Sequence, residues 1–471
     1  METFKRIISL LLAMITLFGL AACAPSDKAQ NSATEPPPEE EPGTYTDEEK
    51  AKFLEYASRN VERADTMAKA AVNVFVNKAQ YEKNGMVDLG IECSIIGNTI
   101  KGGGTSTVWE YTSFLAMTSR LQTVTGDDYY DELYKNAYSS LAYYKGKGAV
   151  TTYNGTSNQY MYAVNRAGKK NTADITGIAA VYDDQMWIIR ELIYAYRHTG
   201  TTKYLEEAVS LTDVCLDGWD TTKDKDGNEI GGICWGPGYQ TKHTCSNAPI
   251  IVALVDLYEI YTGLGDSDKA AEYLEWAKKV FDFCQKYFIK YDGTYGDLVG
   301  SERKEEGSGS ERHYVTTSQS TTLDQTAYTY NTGAMISGAA ALYRATGEEK
   351  YLSAAKKSVK AAKNVFGDKR ALEGYTLWGL SNRKWFNLIL LEGFIEFYEF
   401  DPEECLEIIT SFQDMLDYSY DNYLKKGFLP YNLLKGWTKN SEDTTKNIME
   451  QTSVATMFAE LSEFYAGIAE K

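Results

Sequence analysis

Two adjacent carboxylates stand where an amphipathic segment begins. Asp183 and Asp184 open the stretch VYDDQMWIIRELIYAYRHTG, residues 181–200, whose apolar residues recur at helical spacing. Cleavage of a glycosidic bond needs two carboxyl groups at fixed positions, because one protonates the leaving oxygen while the other attacks or supports the anomeric carbon. The pair is therefore the first candidate for chemistry.

The same two residues also suit a purely structural role. Asp is favoured both at a helix N-cap, here Asp183, and in the first turn, here Asp184. Catalysis requires one of them to stay protonated near neutral pH. A helix N-terminus favours the charged form by roughly 0.3 to 1 kcal/mol, whereas a second carboxylate about 5 Å away disfavours it by roughly 3 kcal/mol at an effective dielectric near 20. The neighbour therefore outweighs the helix, which predicts one charged nucleophile and one neutral acid.

Apolar spacing of three and four predicts twelve helices. They are expected at residues 46–79, 106–123, 128–144, 183–198, 202–218, 245–261, 267–288, 328–345, 350–365, 385–400, 404–420 and 447–467. Four of them end at a Thr-Gly pair in which the glycine suits the left-handed position after a helix, namely Gly126, Gly200, Gly263 and Gly347. Six helical hairpins on one body predict an all-α (α/α)6 barrel in which alternate helices line the inside. A solenoid is the alternative, but its connections are usually short.

The predicted connections run long after every second helix, and long loops gathered at one end of a scaffold usually build a site. They are rich in Gly and aromatic residues, as in GGICWGPGY at 231–239 and GYTLWG at 374–379. Asp226-Gly227 and Asp292-Gly293 are typical of hairpin turns. Trp109 and Trp385, at the starts of predicted inner helices, either line the cleft or pack in the core.

The N-terminus has the features of a bacterial lipoprotein signal. Lys5 and Arg6 precede an apolar run that closes on Leu20-Ala21-Ala22-Cys23, and this run is too short to span a bilayer. Residues 1–22 are predicted to be a signal peptide and Cys23 the lipidated residue. Residues 23–44, polar and rich in Pro and Glu, are predicted to be a disordered tether, which leaves 45–471 as the folded domain.

The amino-acid composition limits the kinds of molecule and ion that the protein is expected to bind. A net charge of −18 argues against nucleic acid, because phosphate neutralisation needs clustered Lys and Arg. No C-x-x-C pair is present, and only Cys234, His243 and Cys245 loosely suggest zinc, so no metal site is predicted. Whether any of the six cysteines after Cys23 form disulfides is open; they are Cys93, Cys215, Cys234, Cys245, Cys284 and Cys405.

Three blocks in fixed order resemble glycoside hydrolase family 76, the bacterial and fungal α-1,6-mannanase family. The first is the Asp183-Asp184 pair followed by Met186 and Trp187. The second is the loop from Gly231 and Gly232 to Trp235, followed by Lys242 and the pair Ser246-Asn247. The third is Tyr328-Thr-Tyr330-Asn331-Thr-Gly333 at the start of a helix. The chain departs from the family pattern at Ile188 and Cys234, where the family often has aromatic residues.

The resemblance implies that Asp183 is the nucleophile and Asp184 the acid/base of a retaining, preferentially endo-acting α-1,6-mannanase without a cofactor. It also implies substrate contacts for Trp187, Gly231, Gly232, Trp235, Lys242, Ser246, Asn247, Tyr330 and Asn331. Helix capping is an alternative role for Ser246 and Asn247. The expected partner is α-mannan, and the expected location is the bacterial cell surface, with the membrane touched only through lipid on Cys23. A mannan transglycosylase and a non-catalytic glycan-binding lipoprotein remain alternatives.

Overall fold

The computed structural model describes residues 45–96, 100, 102–379 and 384–471. The predicted signal peptide (1–22), Cys23 and the predicted tether (23–44) lie outside these residues. No helix in the described part of the chain is both long enough and apolar enough to cross a membrane.

All twelve predicted helices are present. In chain order the helices are α1 Asp47–Phe75, α2 Lys78–Asn84, α3 Val108–Thr125, α4 Asp128–Leu141, α5 Tyr182–Thr199, α6 Thr202–Asp217, α7 Ala248–Gly263, α8 Ser267–Tyr287, α9 Thr329–Thr346, α10 Glu349–Phe366, α11 Lys384–Phe397, α12 Pro402–Tyr423, α13 Ser441–Thr444 and α14 Ile448–Ala469. The short helices α2 and α13 were not predicted. Helix α1 begins with a capping box, in which Thr46 and Glu49 exchange side-chain to backbone hydrogen bonds.

Six helices form a closed inner ring. Helix α3 packs on α5, α5 on α7, α7 on α9, α9 on α11, α11 on α14, and α14 returns to α3. Each inner helix has one outer partner: α4, α6, α8, α10 and α12 follow their partners directly, whereas α1 packs on α14. The arrangement is the predicted (α/α)6 barrel. It contains five sequential hairpins, and the sixth pair joins the first long helix to the last.

Sequence decides which helix lies inside. In α7 every residue of 248–255 is buried, as expected of a helix that is apolar all round. In α10 the buried residues form one stripe opposite a lysine-rich face. Helices α3, α5 and α9 end at Gly126, Gly200 and Gly347, each with the predicted positive φ. The prediction for Gly263 is wrong: this glycine is the last residue of α7, and Gly265 adopts the left-handed conformation instead.

The long connections all precede inner helices and carry the strands, so they gather at the end where the inner helices begin. The strands are β1 Glu92–Ser94, β2 Gly102–Gly103, β3 Lys145–Thr151, β4 Thr156–Tyr162, β5 Lys242–His243, β6 Leu298–Glu306, β7 His313–Leu323, β8 Gly367–Leu372, β9 Tyr375–Trp378 and β10 Thr445–Asn447. They pair antiparallel in the orders β10-β1-β2, β3-β4, β5-β6-β7 and β8-β9. Asp226-Gly227 and Asp292-Gly293 form turns between paired residues, as predicted.

Candidate active site

The aspartate pair lies in the first turn of α5, at the end of the barrel that carries the long loops. Val181 is the N-cap and makes no side-chain capping bond, so the prediction that Asp183 is the N-cap is wrong. Asp183 is instead the second residue of the helix, and the backbone N–H of Asp184 donates to its Oδ1 at 3.0 Å. Neither carboxylate forms a salt bridge with a Lys or Arg of the described residues.

Two long loops fix the start of this helix. The backbone N–H of Tyr182 donates to the carbonyl of Trp235 at 2.8 Å, which ties α5 to the Gly-Gly-Ile-Cys-Trp loop. The side chain of Gln185 accepts a hydrogen bond from the Tyr162 N–H and donates to the carbonyls of Tyr162 and Val181. These bonds hold the helix start, and hence the two carboxyl groups, against both loops.

Both aspartates bind a proton more tightly than usual. Burial raises the pKa of Asp183 to about 6, and contacts with the Trp235 and Cys245 side chains offset part of the rise. Burial raises the pKa of Asp184 well above its usual value, and the charges of Asp183 and Glu110 add to the rise. Asp184 is 7% exposed and therefore keeps its proton when Asp183 has ionised. The split has the predicted direction, but burial contributes more to it than the neighbouring carboxylate.

Aromatic side chains surround the pair. The Trp235 ring lies 5.1 Å from the His243 ring at 28°, and Tyr330 stacks on Phe386 at 4.1 Å. Both Trp235, which Tyr239 also contacts at 4.6 Å, and Tyr330 are partly exposed, so each keeps some ring surface for contact with a sugar. Trp187 is almost fully buried and lies 6.4 Å from Tyr330, which places it behind this wall.

The structure also shows what surrounds Trp109 and Trp385, which the sequence allowed to be either cleft or core residues. Trp385 packs edge-on against Trp187 and is 1% exposed, so it belongs to the core. Trp109 is partly exposed and stacks on Phe386 at 5.9 Å, next to the Tyr330 ring.

Three residues predicted to contact substrate are fully buried beneath the Gly-Gly-Ile-Cys-Trp loop instead. Lys242 Nζ donates to Asp220 at 2.7 Å and to Gln319 at 2.8 Å, inside the protein. Asn247 accepts the Ile233 N–H and donates to the Ile233 carbonyl, and Ser246 donates to the same carbonyl. A direct sugar contact is thus the wrong role for Lys242, Ser246 and Asn247, whose polar groups are used within the protein. They hold the loop that positions Trp235.

The two glycines of that loop are required by its conformation. Gly231 and Gly232 have φ of +79° and +82°. A Cβ on Gly232 would lie 2.2 Å from the Phe283 ring, and one on Gly231 would lie 2.8 Å from Trp219. Their predicted contact with substrate is untested, whereas a role in shaping the loop follows directly from these distances.

A second carboxyl pair, Asp297 and Asp324, is marked by no local sequence pattern. Asp297 lies close enough to the first pair that its charge and that of Asp183 both act on Tyr330. The backbone N–H of Asp297 donates to the carbonyl of Asp324 at 2.9 Å, at the base of the β6–β7 hairpin. Burial and the charge of Asp324 raise the pKa of Asp297 to about 6. The Asn331 Nδ2 donates to the Gly296 carbonyl at 3.1 Å, and its buried Oδ1 has no partner within the described residues.

The loose zinc pattern does not form a metal site. Cys234 contacts the Tyr153 hydroxyl at 3.4 Å, and His243 pairs with the Thr241 hydroxyl at 2.9 Å. In the part of the chain that the structure describes, no group of three His, Cys, Asp or Glu side chains could hold a metal ion. The six cysteines of that part are free thiols.

A closed double ring of helices, with a carboxyl pair and a partly exposed aromatic wall at its loop-bearing end, defines an (α/α)6-barrel glycoside hydrolase. Comparison with known sequences gives the family. The sequence model of glycosyl hydrolase family 76 matches residues 59–465, so the chain belongs to this family.

The relatives agree with this assignment. A segment of 146 residues, 31% of this chain, is 27% identical to mannan endo-1,6-alpha-mannosidase DCW1 of Candida glabrata, and it spans 28% of that protein. A family 76 glycoside hydrolase from a bovine Bacteroides thetaiotaomicron strain superposes with a TM-score of 0.65 at 20% identity, over 86% of this chain and 77% of that one. An inactive α-1,6-mannanase variant of a Salegentibacter species, with two consecutive aspartates replaced by asparagine and α-1,6-mannotriose bound, has a TM-score of 0.58 at 19% identity, over 86% of this chain and 99% of that one.

Proposed function

We propose that the protein is a retaining, endo-acting hydrolase of α-1,6-linked mannose chains. The observation that carries the proposal is the protonation split between Asp183 and Asp184 at the loop-bearing end of the barrel. The substrate class is supported by the names of the relatives, which include a mannan endo-1,6-alpha-mannosidase and an α-1,6-mannanase with a bound mannotriose.

The reaction follows from the two protonation states. Ionised Asp183 attacks C1 of the mannose while the proton of Asp184 passes to the glycosidic oxygen, and the C1–O bond breaks. A mannosyl ester on Asp183 results. Asp184, now ionised, takes a proton from water, the water oxygen bonds to C1, and the ester bond breaks to release Asp183 as a carboxylate. The configuration at C1 is inverted twice and therefore retained.

The wall around the pair fits a sugar ring. Trp235 and Tyr330 offer faces for stacking, and the free Oδ1 of Asn331 can accept a hydrogen bond from a hydroxyl group. Trp187 supports Tyr330 from behind. In this proposal Lys242, Ser246 and Asn247 act on the substrate only through the loop that they hold.

The proposed location is the bacterial cell surface, with lipid on Cys23 and residues 24–44 as a spacer. The signal pattern that closes on Leu20-Ala21-Ala22-Cys23 supports it. In a bacterial host, the full chain is expected in the membrane fraction and Cys23→Ala in the soluble extracytoplasmic fraction. Equal distribution of both chains would contradict lipid anchoring.

The decisive experiment is incubation of the purified protein with unbranched α-1,6-mannan, followed by measurement of reducing ends. Asp183→Asn and Asp184→Asn should each lower kcat by at least about a hundredfold. Asp414→Asn is the matched control, because burial also raises the pKa of Asp414, on the outer helix α12. No release of reducing ends, or unaltered rates in either active-site variant, would overturn the proposal.

The two aspartates can be told apart with a mannoside whose leaving group needs no proton, such as a dinitrophenolate. Asp184→Asn should still release this group, and azide should then accelerate turnover by replacing the activated water. Asp183→Asn should stay inactive with this leaving group, and azide should not accelerate it. NMR of the first products separates retention from inversion, and an added acceptor glycan separates hydrolysis from transglycosylation.

A further inference from the structure

The second carboxyl pair has hydrogen-bond donors but, in the described part of the chain, no lysine or arginine beside it: the Thr326 N–H donates to Asp324 at 2.9 Å, and the Asn331 side chain contacts Asp297. No lysine or arginine of the described residues forms a salt bridge with Asp297 or Asp324. The nearest basic group is His243, whose Nδ1 lies 4.0 Å from Asp297 Oδ1. Burial lowers the pKa of His243 to about 4, so its ring is neutral at pH 7. No positive charge of the described residues therefore balances this pair, in which Asp297 is part-buried and Asp324 is exposed.

The second pair is joined to the catalytic pair by the aromatic wall. His243, beside Asp297, stacks on Trp235, and the carbonyl of Trp235 binds the first residue of α5. On the other side, burial raises the pKa of the Tyr330 hydroxyl, and the charges of Asp183 and Asp297 add to the rise. The aromatic wall therefore connects the two carboxyl pairs.

An independent feature indicates that this region binds a ligand. Asn331 is fully buried beside Asp297, and its Oδ1 has no hydrogen-bond partner among the described residues. A buried acceptor without a donor is costly, and a hydroxyl group of a bound sugar would satisfy it. Two carboxylates and one free amide oxygen together form a site for donors, and neutral sugar hydroxyls are donors.

We propose that Asp297 and Asp324 set the charge specificity of the cleft, so that neutral mannose chains are cleaved and chains carrying phosphate esters beside the scissile bond are rejected. The inference rests on the proposed function. A phosphate on the wall would approach two carboxylates that have no cationic partner among the described residues, and like charges brought together oppose binding, most strongly at the part-buried Asp297. Hydroxyl groups of an unmodified chain carry no charge and can donate hydrogen bonds to these carboxylates.

The test compares α-1,6-mannotetraose with the same tetrasaccharide bearing one phosphate monoester, at about pH 7 and low salt. The measured quantity is the ratio of the two kcat/KM values, neutral over phosphorylated. The wild-type ratio should be at least about tenfold and should shrink as salt is added. Because the ratio is internal to each protein, a general loss of activity in a variant does not affect it.

Asp324→Asn and the double variant Asp297→Asn/Asp324→Asn should bring the ratio close to about two. The matched control is Asp292→Asn. Asp292 and Asp324 each accept the backbone N–H of the threonine two residues later at 2.9 Å, but Asp292 lies in the turn against α10. The control removes the same charge from the same kind of turn and should keep the wild-type ratio.

The outcomes separate this inference from the proposed function. A wild-type ratio near one, or an equal fall in Asp292→Asn and Asp324→Asn, would overturn the charge specificity while leaving the mannanase proposal intact. If wild type cleaves neither sugar, the mannanase proposal fails. The ratio of the two dissociation constants, measured by calorimetry on Asp183→Asn/Asp184→Asn, then decides the specificity alone: preference for the neutral sugar supports it, and equal affinity overturns it.

Discussion

The backbone N–H of Asp184 donates to the carboxylate of Asp183 at 3.0 Å, so the more deeply buried aspartate stabilises the ionised form of its neighbour. Two identical residues in sequence thereby acquire different roles. The difference arises from depth: Asp183 lies partly open to the cleft, whereas Asp184 is buried and close to Glu110. The helix start supplies the geometry, and burial supplies the protonation split.

The pH dependence of activity should follow from this split. We expect kcat/KM for a mannotetraose to rise as pH increases through about 6, where Asp183 ionises, and to fall at higher pH, where Asp184 loses its proton. With the dinitrophenyl substrate, Asp184→Asn should keep the rising limb and lose the falling one. A profile without a rising limb between about pH 4.5 and 7 would contradict the assignment of Asp183.

Asp184 should lower stability while it serves catalysis. Its pKa is raised in the folded protein, so between the usual value of 3.8 and the raised value the folded state binds more protons than the unfolded state. Stability therefore falls as pH rises through that window. Asp184→Asn should raise the unfolding free energy in urea by on the order of 1 kcal/mol or more at about pH 8, and by little at about pH 4.

Asp292→Asn should change the stability of the protein in the opposite direction to Asp184→Asn. The hydrogen bonds from Thr294 and the contact with Lys290 outweigh desolvation and lower the pKa of Asp292, so this residue stabilises the protein above its usual pKa. Its substitution should lower the urea midpoint at about pH 8, and the loss should vanish as the solution is acidified. Parallel pH dependences for Asp184→Asn and Asp292→Asn would contradict both assignments.

Gly227 and Gly232 allow the cost of backbone strain to be measured separately from the cost of steric overlap. Gly232 and Gly227 have φ of +82° and +84°, but a Cβ meets Phe283 only at position 232 and finds open space at 227. Gly227→Ala should cost about 1 to 2 kcal/mol in urea unfolding. Gly232→Ala should cost clearly more and should also lower kcat/KM, because the loop carries Trp235. Similar losses of unfolding free energy in both variants would show that the loop can shift at little cost to relieve the overlap at position 232.

Much of the fold follows from local pattern. Helical periodicity placed all twelve long helices, and capping signals such as Thr46-x-x-Glu49 and Gly200 marked their ends, because these features depend on neighbours within one turn. Gly263 shows the limit of such signals. Its Thr-Gly pair is the same as the others, yet the helix runs through it and turns at Gly265.

The site was only partly predictable for a related reason. Asp183 and Asp184 are adjacent in sequence, so their pattern is visible. Asp297 and Asp324 come together only because the β6–β7 hairpin folds back, and no local pattern links them. Burial of a polar side chain cannot be read from a local pattern either. A lysine can bind a sugar or form a buried ion pair, and only the structure shows that Lys242 pairs with Asp220 in the core.

The Lys242–Asp220 pair should be a major support of the loop. Both side chains are fully buried, and Asp220 also accepts a hydrogen bond from the Thr316 hydroxyl at 2.6 Å. Lys242→Met leaves an uncompensated buried carboxylate and should cost about 3 to 5 kcal/mol. Adding Asp220→Asn should recover part of this loss in urea unfolding. Strict additivity of the two substitutions would show that the pair does not act as a unit.

Trp235 should bind sugar through its face. Its backbone carbonyl holds Tyr182, a contact that any side chain preserves, so substitution removes the ring and leaves the helix start tied. Trp235→Leu should raise KM for α-1,6-mannan by roughly tenfold, the equivalent of about 1.4 kcal/mol, and Trp235→Phe should raise it less because it keeps an aromatic face. The control is Trp276→Leu on α8, where the ring packs edge-on against Trp219. That variant should lose stability without a change in KM. If KM rises equally in both tryptophan variants, the effect of position 235 is one of folding, and stacking on the sugar is ruled out.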